Sequence, residues 1–160
     1  PFPEYKITNA LGGEDKMLEC KEGVYKLIEM FKKFYDDSHG KLVPVRAEVV
    51  VGDGEWGITG MIDQLFFNEK SGMLEIWDWK TNKAIKKENK WQQFKKPLSH
   101  LDVCELNTYS LQLSFYRLIV ERNTELELGD SYIVWFNENN DSYKVIKCFD
   151  FRDEILKIMG

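Results

Sequence analysis

With 160 residues, 43% of them hydrophobic and 14% aromatic, the chain can bury one good core and is too short for two ordinary domains, so one domain over residues 1–160 is expected. Charged residues, 31% of the chain, lie in short blocks among apolar ones, which argues against extended disorder, and a formal charge of -5 argues against a simple coat for nucleic acid. Cys20, Cys104 and Cys148 lie far apart and no run of about 18 apolar residues occurs, which excludes a disulfide framework and a membrane span and points to the cytoplasm or another reducing compartment.

The chain begins PFPEYK, with no methionine and no basic-then-apolar leader, as expected of a trimmed, processed or fragmentary sequence with residues missing upstream. From Glu14 to Asp37, Met17, Cys20, Val24, Leu27, Ile28, Phe31, Phe34 and Tyr35 recur at helical steps, and Ser38, His39 and Gly40 stop the helix. PVRAEVVVGDGEWGITGMIDQLFF then predicts a hairpin reversing around Gly52, Asp53 and Gly54. A turn from Asn68 to Gly72 leads into a third strand, MLEIWDWKT.

Between Lys83 and Lys96 six lysines face the single acid Glu88, with Trp91 and Phe94 among them. Two readings of this segment compete. In one it tracks phosphates and stacks bases, with Lys83, Lys86, Lys87, Lys90 and Trp91 as nucleic-acid contacts. In the other it is a solvated helix whose lysine stems lie over the core. Pro97 breaks the segment from a second amphipathic helix, Leu106 to Arg122. Gly129 and Asp130 end the next connection, SYIVWF and SYKVIKCF are strands around the turn Asn137 to Asp141, and Asp150 caps a short last helix to Met159. The expected class is α/β, a mixed sheet flanked by helices.

Alternation in IWDWK puts Asp78 and Lys80 on one face of their strand and Trp77 and Trp79 on the other. If Asp63 lies beside Asp78 in the neighbouring strand, two carboxylates converge and repel unless a cation separates them, and hard oxygen ligands suit Mg²⁺ or Mn²⁺. Such an ion activates a water and offsets charge on a phosphodiester, while Lys80 holds or deprotonates that water. On the second helix Tyr109, Gln112 and Tyr116 share a face, and an amide among aromatics needs polar partners, either the lysine or a substrate phosphate.

GITGMID, EIWDWKTNK and YSLQLSFY, in this order, resemble the PD-(D/E)XK nuclease superfamily, and within it the RecB-like exonuclease branch of recombination helicases, CRISPR-associated exonucleases and many phage proteins. The resemblance spans Glu48 to Tyr116 and implies a restriction-endonuclease-like core with the order α-β-β-β-α-β. It implies metal ligation by Asp63, Asp78 and the Trp79 backbone carbonyl, with Lys80 as the catalytic lysine. Gln112 and Tyr116 fall on the helix motif that supports the site and contacts substrate, and Glu48 falls where many relatives carry an acid. The implied activity is a Mg²⁺- or Mn²⁺-dependent deoxyribonuclease, an exonuclease on single-stranded DNA or duplex ends. A virus- or phage-encoded origin and assembly into a homo-oligomer, or with a replication or recombination partner, fit the same branch. Neither His39 nor His100 falls where many relatives place a ligand histidine, and three scattered cysteines do not make the set used by iron-sulfur members. The competing reading is a catalytically silent nucleic-acid-binding or assembly module that keeps the nuclease fold.

Overall fold

The apolar stripe of the first helix needs a surface to cover, and the aromatic faces of the following strands supply it. The computed structural model describes residues 14–159, with side chains from Leu18 onward; PFPEYK and the Met17 side chain lie outside the described residues. Helix α1 (Glu14–Ser38) precedes strands β1 (Leu42–Asp53), β2 (Ile58–Asn68) and β3 (Met73–Lys80). Helix α2 (Glu105–Asn123), strands β4 (Leu128–Trp135) and β5 (Lys144–Lys147), and helix α3 (Arg152–Met159) complete the order. The strands form one sheet in sequence order, antiparallel throughout except for the parallel β3–β4 pair that α2 crosses over to make.

On one face α1 packs Met30 and Phe34 against Phe66, Trp77, Val134 and Phe136, with Trp79 at the margin. The Phe34 ring meets those of Phe66, Trp77, Trp79 and Tyr143 at centroid distances of 5.4–6.2 Å. Burying each such side chain contributes roughly 1.5–3 kcal/mol. On the opposite face Ile62, Ile76 and Ile133 pack against Leu106, Leu113 and Ile119 of α2. Helix α3 inserts Ile155 against Leu111 and Leu118 on the far side of α2.

Several expectations are corrected. The first hairpin turns at Gly54–Gly57, later than expected: Asp53 remains in β1, its Oδ1 accepts the Glu55 and Trp56 N–H groups, and Gly57 takes the positive φ of 63° that the reversal needs. Gly129 and Asp130 belong to β4 instead of ending the connection before it. The lysine segment is not a helix. Its backbone is tied by Val103 N–H to the Gln92 carbonyl, Phe94 N–H to the Leu101 carbonyl, and Leu106 N–H to the Lys86 carbonyl.

Asp150 lies one residue before the N-cap position, which Phe151 holds by accepting the Ile155 N–H, and its Oδ1 accepts the Arg152 N–H. Cys104 and Cys148 are buried, Cys20 is exposed, and all are free thiols. Among the described residues no helix is long and apolar enough to cross a membrane.

Candidate active site

The alternation that separates Trp77 and Trp79 from Asp78 and Lys80 holds: the indoles face α1, and Lys80 lies over the Tyr109 ring of α2 at 4.8 Å. Asp63 reaches the same place by a less regular route. The β2–β3 ladder stops at Gln64↔Trp77, one step before Asp63 and Asp78 would pair. Where the Trp79 N–H would otherwise meet a strand carbonyl, the Asp63 Oδ2 accepts it at 3.0 Å. Ile62 and Leu65 both pack on the α2 side, although odd and even residues of a regular strand face opposite ways. The strand therefore rolls over between them, at Asp63 and Gln64. The partner strand is irregular at the same level. Glu48 lies between Ala47, which pairs with Gln64, and Val49, which pairs with Ile62, and has φ 52°. A left-handed backbone on a residue with a Cβ costs roughly 1–2 kcal/mol. Glu48 itself is exposed.

Asp78 is only 3% exposed. Burial raises its carboxyl to about 6, the Lys80 ammonium opposes that shift, and the adjacent Asp63 carboxylate reinforces it. Its Oδ2 forms an ion pair with Lys80 and is otherwise buried without a hydrogen-bond donor. Two convergent carboxylates, one with a buried oxygen short of donors, are what a hard divalent cation fits. Among the described residues no cluster of three or more His, Cys, Asp or Glu forms a ligand set, so a cation held here depends on Asp63, Asp78, backbone carbonyls such as that of Trp79, and water. Neither histidine serves as a third ligand. His39 donates its backbone N–H to the Asp36 carbonyl just past α1, and His100 lies near Glu154 of α3.

On α2, Gln112 donates from Nε2 to the Tyr116 hydroxyl at 2.8 Å, and among the described residues its amide bonds this hydroxyl and not Lys80. Tyr109 and Gln112 are half-buried, while Lys83, Lys86, Lys87 and Lys90 are exposed and Trp91 is 95% exposed. Tyr116 rests on β2, its ring so close to Gly60 that a Cβ there would lie 2.2 Å from Cε1. Gly60 of the GITGMID segment and Tyr116 of the YSLQLSFY segment are thus halves of one contact.

Two site-supporting residues were not anticipated. Asn137 donates from Nδ2 to the carbonyls of Asn82 and Lys83 at 2.8 and 2.9 Å, and the Trp135 indole donates to the Asn82 carbonyl at 2.7 Å. Together with the Phe136 N–H on the Lys80 carbonyl, they fix the direction in which the chain leaves the active-site strand. A turn asparagine gives little sequence signal for this role. Only its 5% exposure separates Asn137 from its solvated neighbours in the turn.

Comparison with curated proteins finds no match to the chain. The family model described as the PD-(D/E)XK nuclease superfamily matches residues 12–151, which takes in β2, β3 and α2 with Asp63, Asp78, Lys80, Gln112 and Tyr116. The match covers most of the sequence and includes every element that forms the carboxylate–lysine site, so the chain belongs to the PD-(D/E)XK nuclease superfamily.

Proposed function

We propose that the protein is a DNA exonuclease of the RecB-like branch that hydrolyses phosphodiester bonds with Mg²⁺ or Mn²⁺. The observation that carries this reading is the convergence of Asp63, Asp78 and Lys80 where the β2–β3 ladder ends. Members of the superfamily typically use divalent metals. Bound here, such an ion supplies an activated water and charge neutralisation at the phosphate. Asp63 and Asp78 hold it with the Trp79 carbonyl. Asp63 is fixed for that task by the Trp79 N–H, and Asp78 by its pairing with Ile133 of β4.

Lys80 supplies a positive charge beside the scissile phosphate and orients or deprotonates the attacking water. The Tyr109 ring beneath its ammonium keeps it in the cleft by a cation–π contact of about 0.5–2 kcal/mol. Gln112 and Tyr116 brace each other on the same helix face, where the free amide oxygen can meet substrate. The order of the three motifs supports the RecB-like assignment, and with it action from DNA ends.

The test is hydrolysis of end-labelled linear DNA, covalently closed circular DNA and RNA in Mg²⁺, Mn²⁺ and EDTA, with Asp78→Ala and Lys80→Ala alongside. Metal-dependent loss of linear DNA only, reduced at least 100-fold by either substitution, is the expected result. Activity in EDTA, or activity indifferent to both substitutions, defeats the nuclease reading at this site, and cleavage of closed circles defeats the exonuclease one. The two-carboxylate ligand set favours one rival, a binding module that keeps the fold without turnover. Turnover at catalytic protein concentration rules that rival out.

A further inference from the structure

Residues 81–104, which join the active-site strand to α2, expose the least covered indole among the described residues. Trp91 is 95% exposed, yet the backbone around it is pinned. The Asn89 backbone N–H donates to Asp102 Oδ2 at 3.0 Å. The Asn89 Nδ2 donates to the Val103 carbonyl at 2.9 Å, and its Oδ1 accepts the Trp91 N–H at 3.2 Å. Phe94, Leu98 and Leu101 anchor the same loop in the cluster that contains Leu111 and Leu118 of α2. An indole held out in water by an ordered backbone offers a preformed face on which a flat partner can stack.

The charges around it restrict that partner. Lys83, Lys86, Lys87, Lys90, Lys95 and Lys96 are all exposed, and none is ion-paired with a carboxylate among the described residues. In a chain of net charge -5 this is a local excess of positive charge next to an indole. The loop also opens toward the site. Lys86 and Asn89 line a cavity of about 260 Å³ with Glu105, Thr108 and Tyr109, the tyrosine whose ring carries Lys80.

We propose that this loop is a single-strand clamp: its unpaired lysines hold the phosphates of an unpaired DNA strand, Trp91 stacks on a base, and the adjoining backbone is led past Tyr109 to Lys80. The clamp rests on the nuclease reading above for what it delivers, but its binding step stands apart from cleavage. An indole stacks on any base, so the preference is for unpaired strand over duplex and not for sequence.

Binding is measured with the Lys80→Ala protein in EDTA, using a twelve-nucleotide thymidine oligonucleotide, the matching uridine oligonucleotide and a blunt duplex of equal length. Trp91→Ala should weaken thymidine binding by roughly 5- to 100-fold, Trp91→Phe should restore most of it, and the thermal midpoint should stay put because the side chain is exposed. Lys86→Gln with Lys87→Gln and Lys90→Gln should lower the slope of log K against log salt by about two. The part of the iodide quenching that Trp91→Ala removes should fall when the thymidine oligonucleotide binds. Unchanged affinity in Trp91→Ala, or tighter binding of the blunt duplex than of the single strand, overturns the clamp; tighter binding of uridine overturns its assignment to DNA. The two readings fail separately. Trp91-dependent binding without hydrolysis in Mg²⁺ or Mn²⁺ keeps the clamp and loses the nuclease, whereas hydrolysis with unchanged Trp91→Ala affinity keeps the nuclease and loses the clamp.

Discussion

Gly60 has no room for a side chain, because the Tyr116 ring occupies the space where a Cβ would stand. Gly60→Ala must therefore displace either β2 or the ring, and overpacking of this kind costs about 1–3 kcal/mol. If the contact is the cause, the cost nearly vanishes in a Tyr116→Ala background. A double-mutant cycle by urea unfolding should give a coupling of at least about 1 kcal/mol, and additive losses would show that Gly60 matters for another reason. The faces taken by Asp78 and Lys80 and by Trp77 and Trp79 were legible in the sequence, since the period of a strand sorts one pair from the other. The placement of Asp63 was not derivable from that period. β2 rolls over between Ile62 and Leu65, opposite the left-handed Glu48, and a hydrophobic pattern carries no mark of either irregularity. The partner of Gln112 was likewise hidden, because spacing places it near both tyrosines without choosing between a tyrosine hydroxyl and the lysine.

At the scale of elements, the β1–β2 hairpin is fastened to the end of α2 by Asp53. Its Oδ1 accepts the N–H groups of Glu55 and Trp56, and its Oδ2 accepts from Arg122 Nε at 3.1 Å and Asn123 Nδ2 at 3.2 Å. The Arg122 guanidinium also lies 4.3 Å from the Trp56 ring centre. The Trp56 N–H, then Arg122 and Asn123, hold the Asp53 carboxyl below its ordinary range against the opposing effect of burial. A depressed folded-state value stabilises the ionised, folded protein. That contribution is complete above the unfolded aspartate value of about 3.9 and is lost as pH falls through the lower folded value. Asp53→Asn should reduce the urea midpoint at pH 7 and flatten its fall between pH 5 and 3; an equal slope in both proteins would show that other carboxylates govern acid unfolding. Helices and strands were legible here to within a few residues because long apolar periods dominate them. The lysine segment was not. Phe94, Leu98 and Leu101 keep a helix-like spacing, but Pro97 interrupts it and the Asn89 side chain supplies hydrogen bonds that a helix would have made within itself.

For the molecule as a whole, the two faces of the sheet divide the work: the aromatic face under α1 supplies cohesion, and the α2 face gives part of its area to charged groups. Burying Asp78 and Lys80 together costs desolvation that their attraction does not fully return, which is why the Asp78 carboxyl sits near 6 despite the adjacent ammonium. The sign follows from linkage. A folded value above the unfolded one means that ionised Asp78 opposes folding at neutral pH, and this opposition fades as the pH drops below about 6. A neutral replacement of the pair should then leave the fold no weaker. The Asp78→Asn, Lys80→Met double variant is expected to lose hydrolysis while unfolding in EDTA within about 1 kcal/mol of the wild type or above it. Mg²⁺ provides the complementary measurement. For a millimolar site, 10 mM Mg²⁺ adds about 1.4 kcal/mol to the wild type and raises its melting temperature by roughly 3–6 °C, with no rise in the double variant. A double variant several kcal/mol weaker in EDTA would make the pair a structural anchor, and an equal Mg²⁺ response in both proteins would place the cation away from Asp78.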